Sequence, residues 1–230
     1  MYSLSIILPF IDEFNSLKKT IEIINSRIKT KKEFLIIVSR KKTSKEIIKK
    51  ISKLKKNKYI KIYYQKEPLV GGAIKTGIFY SKNTHIVIMA SDLETNPNDL
   101  AKMVKLSKKN TDYIICANRW HNKGGIKNYG ITKKIFNYLF QNIVSFFFKS
   151  DLKDFTFAYR LYPAKILKNY KYFENNHSFA LEMILKPMRF GYKTINVPTV
   201  WKPRVEGSSH NSILYYYDYL KVLLKNIILK

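Results

Sequence analysis

The sequence predicts an α/β domain built on a largely parallel sheet, and three observations carry that expectation. Short apolar runs of strand composition alternate, through the first half of the chain, with stretches whose apolar residues recur at helical spacing. The 230 residues are 46% hydrophobic, enough for one substantial core. An acidic, turn-forming break follows the apolar run at His85, and open α/β sheets bind ligands just beyond the carboxyl ends of their strands.

The expected strands are Ser3 to Pro9, Glu33 to Ser39, Tyr59 to Gln65, His85 to Met89 and Tyr113 to Ala117. Leu17, Ile21, Ile24 and Ile28 form a helical stripe between the first two, and Ile47, Ile51 and Leu54 another before the third. The second of these helices lies among ten lysines and arginines between Arg40 and Lys58, which read as a solvated face. Nucleic-acid binding would interleave aromatics and glycines with such charges, and none occurs there before Tyr59, so no nucleic-acid partner is expected. After His85 to Met89, Asn96 reads as a helix N-cap with Pro97 at the first helical position and Asp99 in the first turn.

The second half changes character after Arg119. A glycine-containing loop, "HNKGGIKNYG", leads into a long aromatic amphipathic pattern, Ile135 to Phe148, which suits either a core helix or one lying in a membrane interface. A helix at "FALEMI", a stop at Gly191, the strand "INVPTVW" and a polar loop holding Arg204, Glu206 and Gly207 follow. We expect residues 1–211 to form one domain and 212–230 an amphipathic C-terminal helix that joins it or contacts a membrane or partner.

Net charge is +27, from 43 Lys and Arg against 16 Asp and Glu, which points to anionic company such as phosphorylated substrates or an acidic membrane face. Part of that excess has a bland source, because Lys, Ile, Asn and Tyr are enriched together as AT-rich coding would produce. A single cysteine, Cys116 in "YIICANR", permits no intramolecular disulfide and reads as a core thiol in a reducing compartment. "MYSLSIILPF" resembles a first strand more than a signal peptide, and no apolar run approaches the roughly 20 residues of a spanning helix, so an integral protein is not expected.

Three stretches could carry chemistry. In "ASDLETNPND", capping accounts for Asn96, Pro97 and Asp99 but not for Asp92 and Glu94. Spaced by two, these carboxylates would share one side of an extended segment and suit a divalent cation that already holds a diphosphate; a solvated turn is the alternative. "GGAIKTG", Gly71 to Gly77, could cradle phosphate at a helix start or simply allow close helix packing. Arg204, in the polar loop, could clamp phosphate oxygens.

Taken in order, these motifs resemble family 2 glycosyltransferases of the GT-A fold, in particular the branch with dolichol-phosphate mannose synthase and bacterial polyprenyl-phosphate glycosyltransferases. "ILPFIDEFNSL", "GGAIKTG", "IMASDLETNP", "ANRW", "DFTFAYRLYP", "FALEMI", "GYKTINVP" and "RVEGSSH" follow in family order across nearly the whole chain. The departures are specific. Val38 and Ser39 stand where the family commonly has two base-holding aspartates, and Ala90 stands where the acidic motif usually has its first aspartate. Glu94 replaces a frequent glutamine, and His210 a frequent lysine.

The resemblance implies a GT-A, Rossmann-like fold: a central, mostly parallel mixed sheet flanked by helices, with amphipathic helices at the C-terminus. It implies inverting sugar transfer from a UDP- or GDP-sugar, with Mg²⁺ or Mn²⁺ held by Asp92 and Glu94. Pro9, Glu13, Ser39, Gly71 and Lys75 would line the nucleotide side. Arg119, Arg160, Ser209 and His210 would face acceptor or phosphate, and Asp92, Glu182 and Arg204 would act in catalysis, Glu182 by orienting or deprotonating an acceptor hydroxyl. The expected acceptor is a polyprenyl phosphate at the cytoplasmic face of the cell membrane, in cell-surface glycan synthesis. A soluble enzyme using a saccharide hydroxyl, and a non-catalytic scaffold binding an anionic partner, are the alternatives.

Overall fold

A computed structural model of the chain describes residues 1–120, 130–204, 206 and 215–228. Seven strands form one sheet in the order β3-β2-β1-β4-β6-β5-β7. They are β1 (Leu4–Phe10), β2 (Lys32–Val38), β3 (Ile60–Tyr64), β4 (His85–Ile88), β5 (Ile114–Asn118), β6 (Arg160–Pro163) and β7 (Thr194–Pro198). β1 pairs in parallel with β2 and β4, β2 with β3 and β5 with β7; β6 alone runs antiparallel to its neighbours β4 and β5. This is the mainly parallel mixed sheet of the GT-A fold that the sequence predicts.

Successive strand residues feed opposite faces, as the pleat requires. Ile7, Leu35, Ile37, Ile86 and Ile88 pack under α3 (Leu69–Tyr80), α6 (Ala164–Lys168) and α7 (Phe179–Arg189). Ile6, Leu8, Phe34, Ile36 and Val87 pack under α1 (Phe14–Arg27) and α4 (Asp99–Lys109), with Ile51 of α2 (Lys45–Ser52) at the margin. α1 buries Leu17, Ile21 and Ile24, the expected stripe. α2 starts on Ser44, whose side chain accepts from the Ile47 amide at 3.3 Å, and among its residues only Ile51 is buried, so its lysines are a solvated face. Cys116 is fully buried in β5, and burial pushes its thiol up to about 11.

Several local expectations are corrected. The segment "GGAIKTG" does open a helix, with Gly71 and Gly72 in the first turn of α3, but its glycines serve close packing and not a phosphate: a Cβ on Gly77 would sit 2.5 Å from Ile7 Cγ2. α4 begins at Asp99, after a turn in which Asn96 Oδ1 accepts from the Asn98 amide at 3.2 Å, so Asn96 closes an Asx turn before the helix instead of capping it. β6 is a strand the local pattern did not reveal, since its four residues include an arginine and a proline.

The aromatic pattern forms α5 (Ile131–Phe148), and it is not a core helix. Of its 18 residues only Gln141 and Val144 are buried, while Ile131 and Phe146 are each 79% exposed. α8 (Tyr215–Ile228) buries Val222 and Leu223 on the α7 side and leaves Tyr217, Leu220, Leu224 and Ile228 outside. Among the described residues no helix is long and apolar enough to cross a membrane.

Candidate active site

The carboxyl ends of β1, β2 and β4 meet on one edge, and the chain leaving β4 makes the acidic turn there. The turn is tight, not extended. Leu93 adopts a left-handed backbone, φ 65°, and Asp92 Oδ1 accepts from the Glu94 amide at 3.0 Å. That geometry, not strand alternation, brings the two carboxylates together. Arg204, arriving from beyond β7, closes over both: its Nε donates to Glu94 Oε1 at 2.9 Å and its Nη2 lies 3.4 Å from Asp92 Oδ2.

Asp92 is 7% exposed, and burial, reinforced by the Glu94 charge, pushes its carboxyl up to about 6. Burial alone would lower the Arg204 guanidinium, but the Glu94 carboxylate, its hydrogen bond and Asp92 outweigh that and raise it. Glu13 braces the same edge from below. Its Oε2 accepts from the amides of Asp12 at 3.0 Å and Ile11 at 3.3 Å, and its Oε1 meets the Ser91 hydroxyl, which also lies 2.6 Å from the Pro9 carbonyl.

Against this geometry the family can be read. The model of the glycosyl transferase family 2 matches residues 5–171, a span that includes the β1 exit, the acidic turn and β6. The chain belongs to glycosyl transferase family 2. Among solved structures it resembles glucosyl-3-phosphoglycerate synthase from Mycobacterium tuberculosis in complex with Mg²⁺ and uridine diphosphate, with a TM-score of 0.72 at 13% identity over 98% of this chain and 79% of that one. The same enzyme with Mn²⁺, UDP-glucose and phosphoglyceric acid gives 0.70 at 13% identity over 98% and 80%. At such identity the likeness is one of fold.

In this family 2 glycosyltransferase the predicted residues divide sharply. Asp92, Glu94 and Arg204 converge, with Glu13, Pro9 and Ser39 at the neighbouring strand ends. Ser39 is buried, and its carbonyl accepts from the Thr43 amide at 2.9 Å to close the turn after β2. Ser209 and His210 lie outside the described residues.

Four of the predicted residues stand apart from this site. The Gly71 amide donates to the Asn175 carbonyl at 2.7 Å, and a Cβ there would meet the Asn175 backbone at 2.8 Å, so Gly71 serves packing and its amide is not free for phosphate. Lys75 pairs with Glu67 and borders a cavity lined with Phe79, Leu167, Lys168 and Tyr170, on the α3–α6 side of the sheet. Arg160 is fully buried, donating to the carbonyls of Ala180 at 2.6 Å, Phe155 at 2.7 Å and Asp154 at 3.0 Å; its guanidinium staples chain segments and offers nothing to a phosphate. Glu182 is 3% exposed and accepts from the amides of Phe173 and Glu174, both at 3.0 Å, and from Lys186 Nζ at 2.5 Å. A carboxylate so occupied holds a loop and does not take a substrate proton.

Arg119 stands between these groups. It grips the fully buried Asp154 through Nε at 2.7 Å and Nη2 at 2.8 Å and lies over the Phe157 ring. Local pattern does not single out Asp154 of "DFTFAYR", because the Arg119 it fixes lies 35 residues away in the chain. The sequence reading also missed His177, in the loop Glu182 holds, whose imidazole is lowered by desolvation, raised by Glu94 and lowered by Arg204. No local pattern marks His177; only folding sets it beside charges from two other segments.

Hard-cation chemistry fits this turn. Asp92 and Glu94 present oxygen donors side by side, and a guanidinium already spans the pair, so the donor set fits a positive charge. Among the described residues no group of three or more acidic, histidine or cysteine ligands assembles. Two carboxylates with the remaining positions left to phosphate oxygens and water is the ordinary manner of holding Mg²⁺ beside a diphosphate.

Proposed function

We propose that this glycosyltransferase moves a sugar from a nucleotide-sugar donor to a polyprenyl phosphate at the cytoplasmic face of a membrane, in cell-surface glycan synthesis. The observation that carries the acceptor is the exposed aromatic and aliphatic face of α5 and α8. Ile135, Phe136, Leu139, Ile143 and Phe146 of α5 stand between 48% and 79% exposed in one stripe, and α8 continues it with Tyr217, Leu220 and Ile228. Phe136 faces Tyr216 and Phe140 faces Tyr219 across the two helices. Exposed Lys133, Lys134, Lys149 and Lys221 rim the face, the pattern of a helix pair lying in the headgroup layer of an anionic bilayer.

This face adjoins the carboxylate edge through the loop held by Glu182. Asn176 Nδ2 donates to Asp218 Oδ2 of α8 at 2.5 Å, and the Tyr219 hydroxyl donates to the His177 carbonyl at 3.1 Å. A lipid phosphate lying at the membrane side would therefore approach the donor from beside His177 and Arg204.

Asp92 and Glu94 would hold Mg²⁺ or Mn²⁺, which when bound supplies neutralising charge to the departing nucleoside diphosphate. An anionic oxygen of the acceptor phosphate attacks the anomeric carbon, and the bond to the diphosphate oxygen breaks with its electron pair leaving on the nucleotide; inversion follows from a single displacement. Such a nucleophile carries no proton to remove, so the commitment of Glu182 to its loop costs the reaction nothing. Arg204 is placed to follow the diphosphate once donor binds.

Labelled UDP- and GDP-sugars offered with polyprenyl phosphate in anionic vesicles, with 3-phosphoglycerate and with free saccharides test the reading. The expected product extracts into organic solvent, and the protein floats with the vesicles in a way that salt weakens without abolishing. Label found only in water-soluble product would favour a soluble acceptor, for which the fold likeness to a phosphoglycerate-using enzyme speaks. Absence of transfer with every acceptor would favour the scaffold reading.

A further inference from the structure

The strap that carries Arg204 is tied down at a second point. Glu206 Oε1 accepts from Asn15 Nδ2 at 2.7 Å, and Oε2 from the Ser16 amide at 2.9 Å. Those groups sit in the first turn of α1, a helix with no acidic residue in that turn and no side-chain hydrogen bond from its N-cap. Its N-cap residue, Glu13, spends its carboxylate on Ser91 and the loop amides of Ile11 and Asp12. Glu206 thus supplies, from 190 residues away, the anion to which the Ser16 amide in the first turn of α1 donates.

The other end of the strap bears on the carboxylates. Asp92 Oδ1 is taken by the Glu94 amide, leaving Asp92 Oδ2 and Glu94 Oε1 facing Arg204. A divalent cation at this turn needs those same oxygens, and a guanidinium and a metal ion cannot share them: both are cations seeking one pair of ligands.

We propose that Glu206 is a positioning residue of the donor-free enzyme, clamping the strap to α1 so that Arg204 occupies the oxygens of Asp92 and Glu94 that the divalent cation must take. The inference rests on the donor and cation reading above. With a cation and nucleotide bound, Arg204 would give up these oxygens and turn its guanidinium to the diphosphate; the clamp would make metal binding without donor weak and so couple the two. In this scheme the apparent affinity for metal alone is reduced by the fraction of molecules whose strap is open.

Free Mn²⁺ measured by electron paramagnetic resonance, without nucleotide, gives a readout that needs no turnover. Glu206→Ala should tighten Mn²⁺ binding roughly fivefold by releasing two hydrogen bonds to the carboxylate. Arg204→Ala should tighten it at least as much, and the double variant should match Arg204→Ala alone, because without the guanidinium the clamp has nothing to hold. Glu206→Gln keeps an acceptor for the Ser16 amide and should fall between Glu206→Ala and the parent protein, which also covers the case of an Ala variant that folds poorly. The inference is overturned if Glu206→Ala leaves Mn²⁺ affinity unchanged or weakens it, or if it tightens binding equally in the Arg204→Ala background. Binding of no Mn²⁺ by any variant, even with uridine diphosphate present, refutes the cation reading itself and the clamp with it, a pattern distinct from the others.

Discussion

Replacing Asp92 by Asn should stabilise the fold while removing the cation binding proposed for this turn. The Asp92 carboxyl titrates at about 6 in the folded protein against an ordinary 3.8, because burial and the neighbouring Glu94 disfavour its charge. At roughly 1.4 kcal/mol per pH unit, a shift of about two units corresponds to about 3 kcal/mol. Between these two values the folded state keeps a proton that the unfolded chain has released, so stability falls as pH rises through this window. Below 3.8 both states are protonated and there is no cost; above about 6 both are ionised and the whole cost is carried.

Asn has the shape of the protonated acid, keeps an oxygen for the Glu94 amide and does not titrate. In urea denaturation, Asp92→Asn should therefore exceed the parent protein by up to about 3 kcal/mol at pH 8, with the advantage vanishing near pH 4. Calorimetry should show its binding of uridine diphosphate no longer strengthened by Mn²⁺. A variant less stable than the parent at pH 8, or one offset by the same amount at both pH values, would refute the reasoning, since either result means the buried carboxylate is not strained in the absence of metal.

Two further substitutions separate scaffold from site. Arg160→Leu fills the space but leaves the carbonyls of Ala180, Phe155 and Asp154 without their donor, and a loss of at least about 3 kcal/mol is expected in chemical denaturation; an unchanged midpoint would return Arg160 to the list of ligand-facing residues. Gly71→Ala forces a Cβ to 2.8 Å from the Asn175 backbone and should cost about 1 to 3 kcal/mol, whereas Gly130→Ala, with nothing within 4 Å, should shift thermal unfolding hardly at all. If the two glycine variants melt alike, the packing account of "GGAIKTG" fails.

What was legible in the sequence was what local physics decides. The stripe of Leu17, Ile21 and Ile24 and the buried runs of β1, β2 and β4 follow from side-chain periodicity and from the need to cover apolar surface, and they give the alternation that forces a parallel sheet. The acidic turn was legible too, because Asp92 and Glu94 exceed what a helix start requires. Even there the sequence suggested an extended pair, and the left-handed Leu93 turned it into a closed one.

The remaining features depend on partners far along the chain. β6 is a strand because β4 and β5 flank it, not because "RLYP" favours one. Arginine in that motif could serve a phosphate or a core, and the carbonyls of residues 154, 155 and 180 decide for the core. The glycines of α3 could have admitted a ligand or a neighbouring backbone, and Asn175 and Ile7 supply the neighbour. Arg204 and Glu94 are 110 residues apart, and Glu206 and Asn15 are 191 apart. Periodicity within one segment sets which face is buried, but the charge or backbone group that a polar side chain meets is set by which segments the closed sheet brings to the same edge. That is why the sequence alone could name the chemistry of these residues, and only the tertiary structure could say which of them are free to perform it.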